Sequence, residues 1–181
     1  TRVLTARIAH LISEHRVHPV EVLAITFTNK AAAEMRERVM SQVGRRARLM
    51  WVSTFQSACV RILRRDGHRL GFTSGFSIYD SDDALRLITK VCKDLDLDPK
   101  RFPPRMFANA ISNLKNELKD YESVERDGVE QTDLIAQVYA EYQRRLQRAN
   151  AMDFDDLIFN AVVLFQAFPD VALDYHKRFR H

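Results

Sequence analysis

The fold is decided by the stretch VLAITFTNKAA, residues 22–32. Its first four residues form a continuously apolar run bounded by polar residues, which predicts a short strand buried on both faces of a parallel sheet. Thr28 and Asn29 then supply helix-capping chemistry, and the segment to about Val43 predicts a helix that Gly44 ends. A strand followed directly by a helix is the unit from which α/β domains are built.

The same order of strand and helix recurs on both sides of this stretch. Residues 1–15 carry an apolar helical stripe, LMWV at 49–52 predicts a second buried strand, and residues 54–65 predict the next helix. The order helix, strand, helix, strand, helix predicts an α/β fold with a parallel sheet. In such folds ligands meet the chain just beyond the carboxyl ends of the strands.

Beyond this part the sequence changes character. Three of the five glycines lie between Gly67 and Gly75, and the remaining sequence is nearly all helical in pattern. Helices are predicted over residues 80–95, 104–118, 132–148, 153–167 and 170–179. We therefore predict an α/β part of about 75 residues, then a helical subdomain, then helices that return to the first part.

Composition limits the class of protein. With 46% hydrophobic residues in 181, the chain can bury a real core, which excludes collagen-like and disordered proteins. Neither G-x-x-x-x-G-K-[ST] nor G-x-G-x-x-G can be drawn anywhere in the sequence. Two cysteines, 33 residues apart, favour reduced thiols over a disulfide framework, and the six histidines form no metal-binding motif. The absence of a membrane-spanning or signal-peptide pattern predicts a cytoplasmic protein with no membrane contact.

The charge distribution is uneven. The chain carries 28 Lys and Arg against 24 Asp and Glu, a formal net charge of +4. Residues 1–72, however, hold 13 of these cations and only 5 of the acids, whereas residues 73–181 are net acidic. A positive field confined to one stretch favours a polyanionic partner, and a solvated basic face is the alternative explanation.

Polar and aromatic residues follow both predicted strands. ITFTNKAA at 25–32 and VSTFQS at 52–57 each combine a phenylalanine with hydroxyl, amide and helix N-terminal groups. Single-stranded nucleic acid is bound by such a set, because aromatic rings stack on bases while amides, lysine and helix N-termini hold phosphate. The alternative is that both phenylalanines belong to the core and that the hydroxyls only cap helices.

Six segments of the chain resemble motifs of the UvrD/PcrA/Rep family of superfamily 1 DNA helicases. AITFTNKAAAEMRERV at 24–39 resembles motif Ia, and VSTFQSACVRILRR at 52–65 resembles motif Ib. The likeness continues in the family's order through the segments FSIYD at 76–80, ISNLKNELK at 111–119, VYAEYQRRL at 138–146 and MDFDDLIFNAVVLF at 152–165. The resemblance therefore covers essentially the whole chain.

This resemblance implies a partial RecA-like parallel-sheet domain, called 1A, with an inserted, mainly helical 1B subdomain. Residues 1–75 would be 1A after Walker A, residues 76–150 would be 1B, and residues 151–181 would return to 1A before Walker B. Enzymes of the family hydrolyse ATP with Mg²⁺, translocate 3′ to 5′ along single-stranded DNA and unwind the duplex ahead. DNA repair, junctions of single- and double-stranded DNA, and partners such as repair proteins or RNA polymerase belong to this expectation.

The resemblance also gives meaning to the two ends of the sequence. Thr1 would be the last residue of Walker A, where its hydroxyl would ligate Mg²⁺ beside ATP. The glycines and lysine expected before Thr1 are not in the sequence, nor is the Walker B acidic pair expected after His181. We therefore expect a helicase fragment that does not hydrolyse ATP by itself, because phosphoryl transfer needs those groups.

The DNA-contacting positions are better represented. The resemblance implies that Phe27 stacks on a base and that its neighbours lie near the backbone of the strand. The full set of implied DNA-binding residues is Phe27, Thr28, Asn29, Lys30, Thr54, Phe55, Gln56, Arg61 and Phe154. Gln56 replaces the family's usual histidine, so a role that needs an imidazole would be lost while hydrogen bonding would persist.

Several of these segments have a simpler structural interpretation. Phe154, Leu157, Ile158 and Ala161 also form an ordinary apolar helix stripe. Asp153, Asp155 and Asp156 suggest a metal site or a general base, but capping of a helix N-terminus is the preferred interpretation. Lys115 and Lys119 are placed where they could meet duplex phosphate or simply be solvated. For the whole chain, the alternative to a helicase fragment is a nucleotide-independent helical adaptor that docks DNA or protein.

Overall fold

The computed structural model describes residues 2–124 and 128–181. Helices and short parallel strands alternate along the chain. Their order is α1 Arg2–Ser13, β1 Leu23–Thr26, α2 Asn29–Val43, β2 Trp51–Thr54, α3 Phe55–Asp66, β3 Ser77–Tyr79, α4 Ser81–Asp94, α5 Pro104–Asn116, α6 Glu130–Arg148, β4 Ala151–Asp153, α7 Phe154–Ala167 and α8 Pro169–Arg178. The predicted α/β class with parallel strands is confirmed.

The chain divides into two compact units. The first unit comprises residues 1–62 and 163–181, and the second comprises residues 63–162, so that the boundaries fall within α3 and α7. These boundaries between compact units differ from the domain limits predicted from the sequence, 1–75, 76–150 and 151–181. The division into domains 1A and 1B stays a prediction. Among the described residues no single helix is long and apolar enough to cross a membrane, although α7 and α8 pass that test when joined across their sharp bend.

The first unit is built on the parallel pair of β1 and β2. The register places Leu23 opposite Trp51 and Thr26 opposite Thr54. One face of the pair packs on α2, whose stripe of Ala32, Met35 and Val39 is fully buried, as the 3.6-residue period predicts. Gly44 ends α2 with a φ of 81°, a left-handed value that glycine adopts without strain.

An aromatic cluster covers the other side of β2. Trp51, the first residue of the strand, is buried, and its ring lies 4.9 Å from that of Phe179 and 6.2 Å from that of Tyr175. Both partners come from the region of α8, so residues near the end of the chain complete the core around its second strand. Their edge-to-face geometry is the arrangement that aromatic pairs prefer.

The second unit is a helical core with a small parallel sheet. Helices α4, α5 and α6 bury a cluster that includes Phe107, Tyr139 and Tyr142. Strands β3 and β4 pair in parallel, with Ile78 opposite Met152. The prediction that this region is nearly all helical was therefore incomplete, because two strands of three residues each carry too little pattern to be recognised from sequence.

Candidate nucleic-acid interface

Two exposed phenylalanines lie at the carboxyl edge of the first sheet. Thr26 and Thr54 end the two strands opposite each other, and Phe27 and Phe55 are the residues that follow them. Phe27 is 94% exposed and Phe55 is 53% exposed. The interpretation that both rings belong to the core is therefore wrong, and the fold presents two aromatic rings at one edge of the sheet.

The backbone that follows β1 is fixed by threonine hydroxyls. Thr28 is extended, and its hydroxyl accepts a hydrogen bond from the N–H of Ala31 at 3.1 Å, which caps α2. The hydroxyl of Thr26 donates to the carbonyl oxygen of Thr28 at 3.0 Å. Asn29 and Lys30 occupy the first turn of α2 and are exposed. The capping function predicted for Thr28 is confirmed, and the turn holds Phe27 outward.

The segment after β2 repeats this construction. Thr54 is buried, and its hydroxyl accepts from the N–H of Ser57 at 3.2 Å and donates to the Ser57 hydroxyl at 3.0 Å. Gln56 is exposed beside Phe55 at the start of α3. Phe55 and Gln56 are therefore accessible at this turn, whereas the Thr54 hydroxyl is engaged in holding the turn.

Arg61 lies at the other end of β2. Its guanidinium carbon is 4.1 Å from the centre of the Trp51 ring, and that of Arg178 is 4.8 Å from the same centre. Arg36 donates to the carbonyl oxygen of Val52 at 2.7 Å. Burial, followed by the nearby charges of Arg178 and Arg36, lowers the pKa of Arg61.

These three arginines carry uncompensated positive charge. Within residues 2–124 and 128–181, none of Arg36, Arg61 and Arg178 forms an ion pair with a carboxylate. Arg61 thus belongs to a basic cluster around Trp51 rather than to the edge that carries Phe27 and Phe55. Guanidinium groups stacked on an aromatic ring keep their N–H donors available for phosphate or carboxylate oxygens.

Phe154 belongs to the second unit. It begins α7 directly after β4 and is 49% exposed. Phe154 lines a cavity of about 210 Å³, together with Tyr79 and with Arg105 and Asn109 of α5. Of the apolar stripe predicted for this helix, Leu157 and Ala161 are buried, whereas Phe154 and Ile158 are exposed.

The acids that flank Phe154 cap α7 reciprocally. The Asp153 carboxylate accepts from the N–H of Asp156 at 2.8 Å, and the Asp156 carboxylate accepts from the N–H of Asp153 at 3.1 Å. Both residues are buried. The predicted capping of the helix N-terminus is confirmed for this pair, and Phe154 lies within the turn that the pair closes.

Lys115 is the main correction to the sequence-based site. Its ammonium is buried, 2.7 Å from an oxygen of Asp153 and 2.9 Å from one of Asp156. Both sequence-based interpretations of Lys115, a contact with duplex phosphate and a solvated side chain, are wrong, because its charge is enclosed and already paired. Lys119 is partly exposed and lies 2.8 Å from Glu117, so the solvated interpretation fits it better.

Tyr142 of α6 completes this cluster. Its hydroxyl donates to the same Asp153 oxygen that faces Lys115, at 2.7 Å. Burial raises the pKa of Asp156 to about 6, even though Lys115 acts in the opposite direction. Burial also acts to raise the pKa of Asp153, yet Lys115, Tyr142 and the N–H of Asp156 together hold it below its ordinary value. The pKa values of two carboxylates in one buried site are therefore shifted in opposite directions.

Sequence reasoning missed this cluster because its members are far apart in the chain. One signal was available: Phe107, Ile111 and Lys115 follow one another at four-residue spacing on the buried face of α5. A lysine on an apolar stripe implies a buried charge that needs a partner. The predicted Mg²⁺ and ATP contact Thr1 lies outside the described residues.

Comparisons with known proteins support the same fold and function class. The family model described as the UvrD/REP helicase N-terminal domain matches residues 1–181. The chain is 57% identical to the ATP-dependent DNA helicase UvrD1 of Mycobacterium tuberculosis, 55% identical to UvrD1 of Mycobacterium leprae and 50% identical to the ATP-dependent DNA helicase PcrA of Staphylococcus aureus. Each alignment covers 100% of this chain but only 24%, 24% and 25% of the respective relative, so the chain spans about a quarter of their length. The chain therefore belongs to the UvrD/REP helicase N-terminal domain family.

Proposed function

We propose that this chain is the part of an ATP-dependent 3′-to-5′ DNA helicase that holds single-stranded DNA. The observation that carries the proposal is Phe27, which is 94% exposed at the carboxyl edge of a parallel sheet, where Phe55 follows the neighbouring strand. Exposed aromatic rings on a fixed backbone are the usual platform on which successive bases stack. Membership of the helicase family supports DNA as the ligand.

The polar groups around these rings suit the sugar–phosphate backbone. Asn29 and Lys30 are exposed in the first turn of α2, where the helix dipole favours an anion, and Gln56 is exposed beside Phe55. Phe154, with its adjoining cavity, is proposed as a further base contact in the second unit. The arginine cluster around Trp51 supports a long-range attraction for the polyanion.

ATP and Mg²⁺ are proposed for the longer protein rather than for these residues. The sequence contains no G-x-x-x-x-G-K-[ST] loop, and the described part holds no group of three or more His, Cys, Asp or Glu side chains suited to a metal ion. Both observations support a nucleotide site that is completed by residues of the longer protein. Unwinding at junctions of single- and double-stranded DNA, and contacts with repair proteins or RNA polymerase, belong to the same proposal for the longer protein. A cytoplasmic location is supported by two free cysteines.

The test is the affinity of the chain for a fluorescein-labelled oligo(dT), measured by anisotropy at fixed low salt. Phe27→Ala should weaken binding by roughly 1–3 kcal/mol, the contribution of one stacked base. The matched control is Leu173→Ala, which removes a 48% exposed leucine of α8 in the same compact unit. If Phe27→Ala binds as tightly as the control, the edge is not a base platform, and the DNA-holding role proposed for Phe27 is overturned.

A further inference from the structure

The turn that carries Phe154 is held from three directions. Asp153 and Asp156 close the turn by exchanging backbone hydrogen bonds, Lys115 reaches both carboxylates from α5, and Tyr142 reaches Asp153 from α6. All of these groups lie within one compact unit. Phe154 is the exposed residue between the two buried acids.

Lys115 is the only charge that links α5 to this turn among the described contacts. Its ammonium lies 5.0 Å from the centre of the Tyr142 ring, so the cation is enclosed by an aromatic face as well as by two carboxylates. Replacing Lys115 by an apolar residue would leave two buried carboxylates facing each other without a cation. Their repulsion would be relieved by opening the turn or by taking up a proton.

The cluster also forms part of the cavity beside Phe154. Tyr142 and Asp153 line that cavity together with Phe154, while Arg105 and Asn109 line it from α5, the helix that carries Lys115. A shift of the turn relative to α5 would therefore change both the direction of the phenyl ring and the space next to it. Buried ion pairs are weak sources of net stability, and in some proteins they instead select one conformation.

We propose that Lys115 is a positioning residue that fixes the turn between β4 and α7 so that Phe154 is presented to a base of single-stranded DNA. The proposal rests on the DNA-binding function proposed above, and it deepens that function by assigning a buried residue to the site. Lys115 touches no nucleic acid in this account. It acts only through Asp153 and Asp156.

A double-mutant cycle on the 181-residue chain tests this. Oligo(dT) affinity is measured for the unchanged chain, for Lys115→Met, for Phe154→Ala and for the double variant. Phe154→Ala should weaken binding about 5- to 150-fold, the effect of one stacked base. Lys115→Met should weaken binding by no more than that, and it should have little further effect once Phe154 is absent, because its influence passes through the ring.

Two further variants keep the result interpretable. Lys90→Met removes an exposed lysine from α4 in the same unit and should leave binding within about twofold, which controls for the change in net charge. Tyr142→Phe removes one donor to Asp153 and retains the ring. Tyr142→Phe should weaken oligo(dT) binding less than Lys115→Met does, and it too should have little further effect once Phe154 is absent. If circular dichroism shows Lys115→Met to be unfolded, Tyr142→Phe takes its place in the cycle.

The outcomes separate the two proposals. If Phe154→Ala weakens binding and the effect of Lys115→Met or Tyr142→Phe is equally large without the ring, the positioning role is overturned while the DNA-binding role of Phe154 stands. If Phe154→Ala leaves affinity unchanged, both the base contact at Phe154 and the positioning role of Lys115 are overturned. The proposed base contact at Phe27 is tested separately by Phe27→Ala. Non-additive losses support the positioning role.

Discussion

Two side chains lie where their chemistry would not usually place them. Phe27 is 94% exposed, although burying such a side chain stabilises a fold by about 1.5–3 kcal/mol. Lys115 is 2% exposed, although lysine is among the residues least often buried. Neither placement is explained by packing alone. The proposed base-stacking surface would account for the first, and the proposed positioning role of Lys115 would account for the second.

Asp156 predicts a specific pH dependence of stability. Its pKa is about 6 in the folded chain against an ordinary value of 3.8, mainly because the carboxyl is buried. Between about pH 4 and pH 6 the folded state therefore holds a proton that the unfolded chain has released. The free energy of unfolding should fall as the pH rises through this window, by up to about 3 kcal/mol, and level off above pH 6.

Urea unfolding measured at intervals from pH 4 to pH 8 checks this expectation. The matched comparison is Asp156→Asn, which keeps the size of the side chain and removes its titration. The fall between pH 4 and pH 6 should be absent from the variant, while contributions from acids outside the cluster of Lys115, Asp153 and Asp156 cancel in the difference. A slope of equal size in both proteins would assign the effect to another group.

The sequence located one part of the site well and another part poorly. Phe27 and Phe55 could be singled out because they directly follow two predicted strands, and parallel strands bring their carboxyl ends together. Lys115 could not be paired with Asp153, because the two residues are 38 positions apart and no local pattern connects them. Only the packing of α5 and α6 on the turn brings these charges into contact.

At the level of the element, the N-cap of α2 determines how the chain leaves β1. The Thr28 hydroxyl accepts from the N–H of Ala31, one of the helix donors that lacks an intrahelical partner. We expect Thr28→Ala to lower the free energy of unfolding by about 1 kcal/mol, and Thr28→Ser to retain most of it, since serine supplies the same acceptor. The measurement is the urea denaturation midpoint of each variant, compared with that of the unchanged chain. Equal losses in both would mean that the methyl group, not the cap, matters.

The longer helices and strands could be located from the sequence, whereas the shortest strands could not. The apolar run at residues 22–25 and the observed strand Leu23–Thr26 differ by one residue, and the helix Asn29–Val43 begins and ends at its predicted cap residues. Ser77–Tyr79 and Ala151–Asp153 were missed as strands. Each has three residues, and each is a strand only because the other, more than 70 residues away, supplies its hydrogen-bonding partner.

At the level of the whole molecule, charge follows the two compact units. Residues 1–62 and 163–181 together carry 13 Lys and Arg against 6 Asp and Glu, whereas residues 63–162 carry 15 against 18. The positive excess therefore belongs to the unit that presents Phe27 and Phe55. A field of this kind attracts polyanions in general and makes their encounter with a protein sensitive to ionic strength.

The last prediction separates DNA binding from ATP hydrolysis in this chain. Its affinity for oligo(dT) should fall steadily with rising salt, because arginines and lysines displace counterions from the phosphates. With ATP and Mg²⁺ present it should release no phosphate, with or without DNA, since phosphoryl transfer requires a lysine-bearing phosphate loop that the 181 residues do not contain. Anisotropy titrations at several salt concentrations and a coupled phosphate assay on the same preparation measure both. A DNA-stimulated ATPase activity that co-purifies with the chain would overturn the prediction of no hydrolysis. Binding that does not change with salt would overturn the prediction of electrostatic DNA binding.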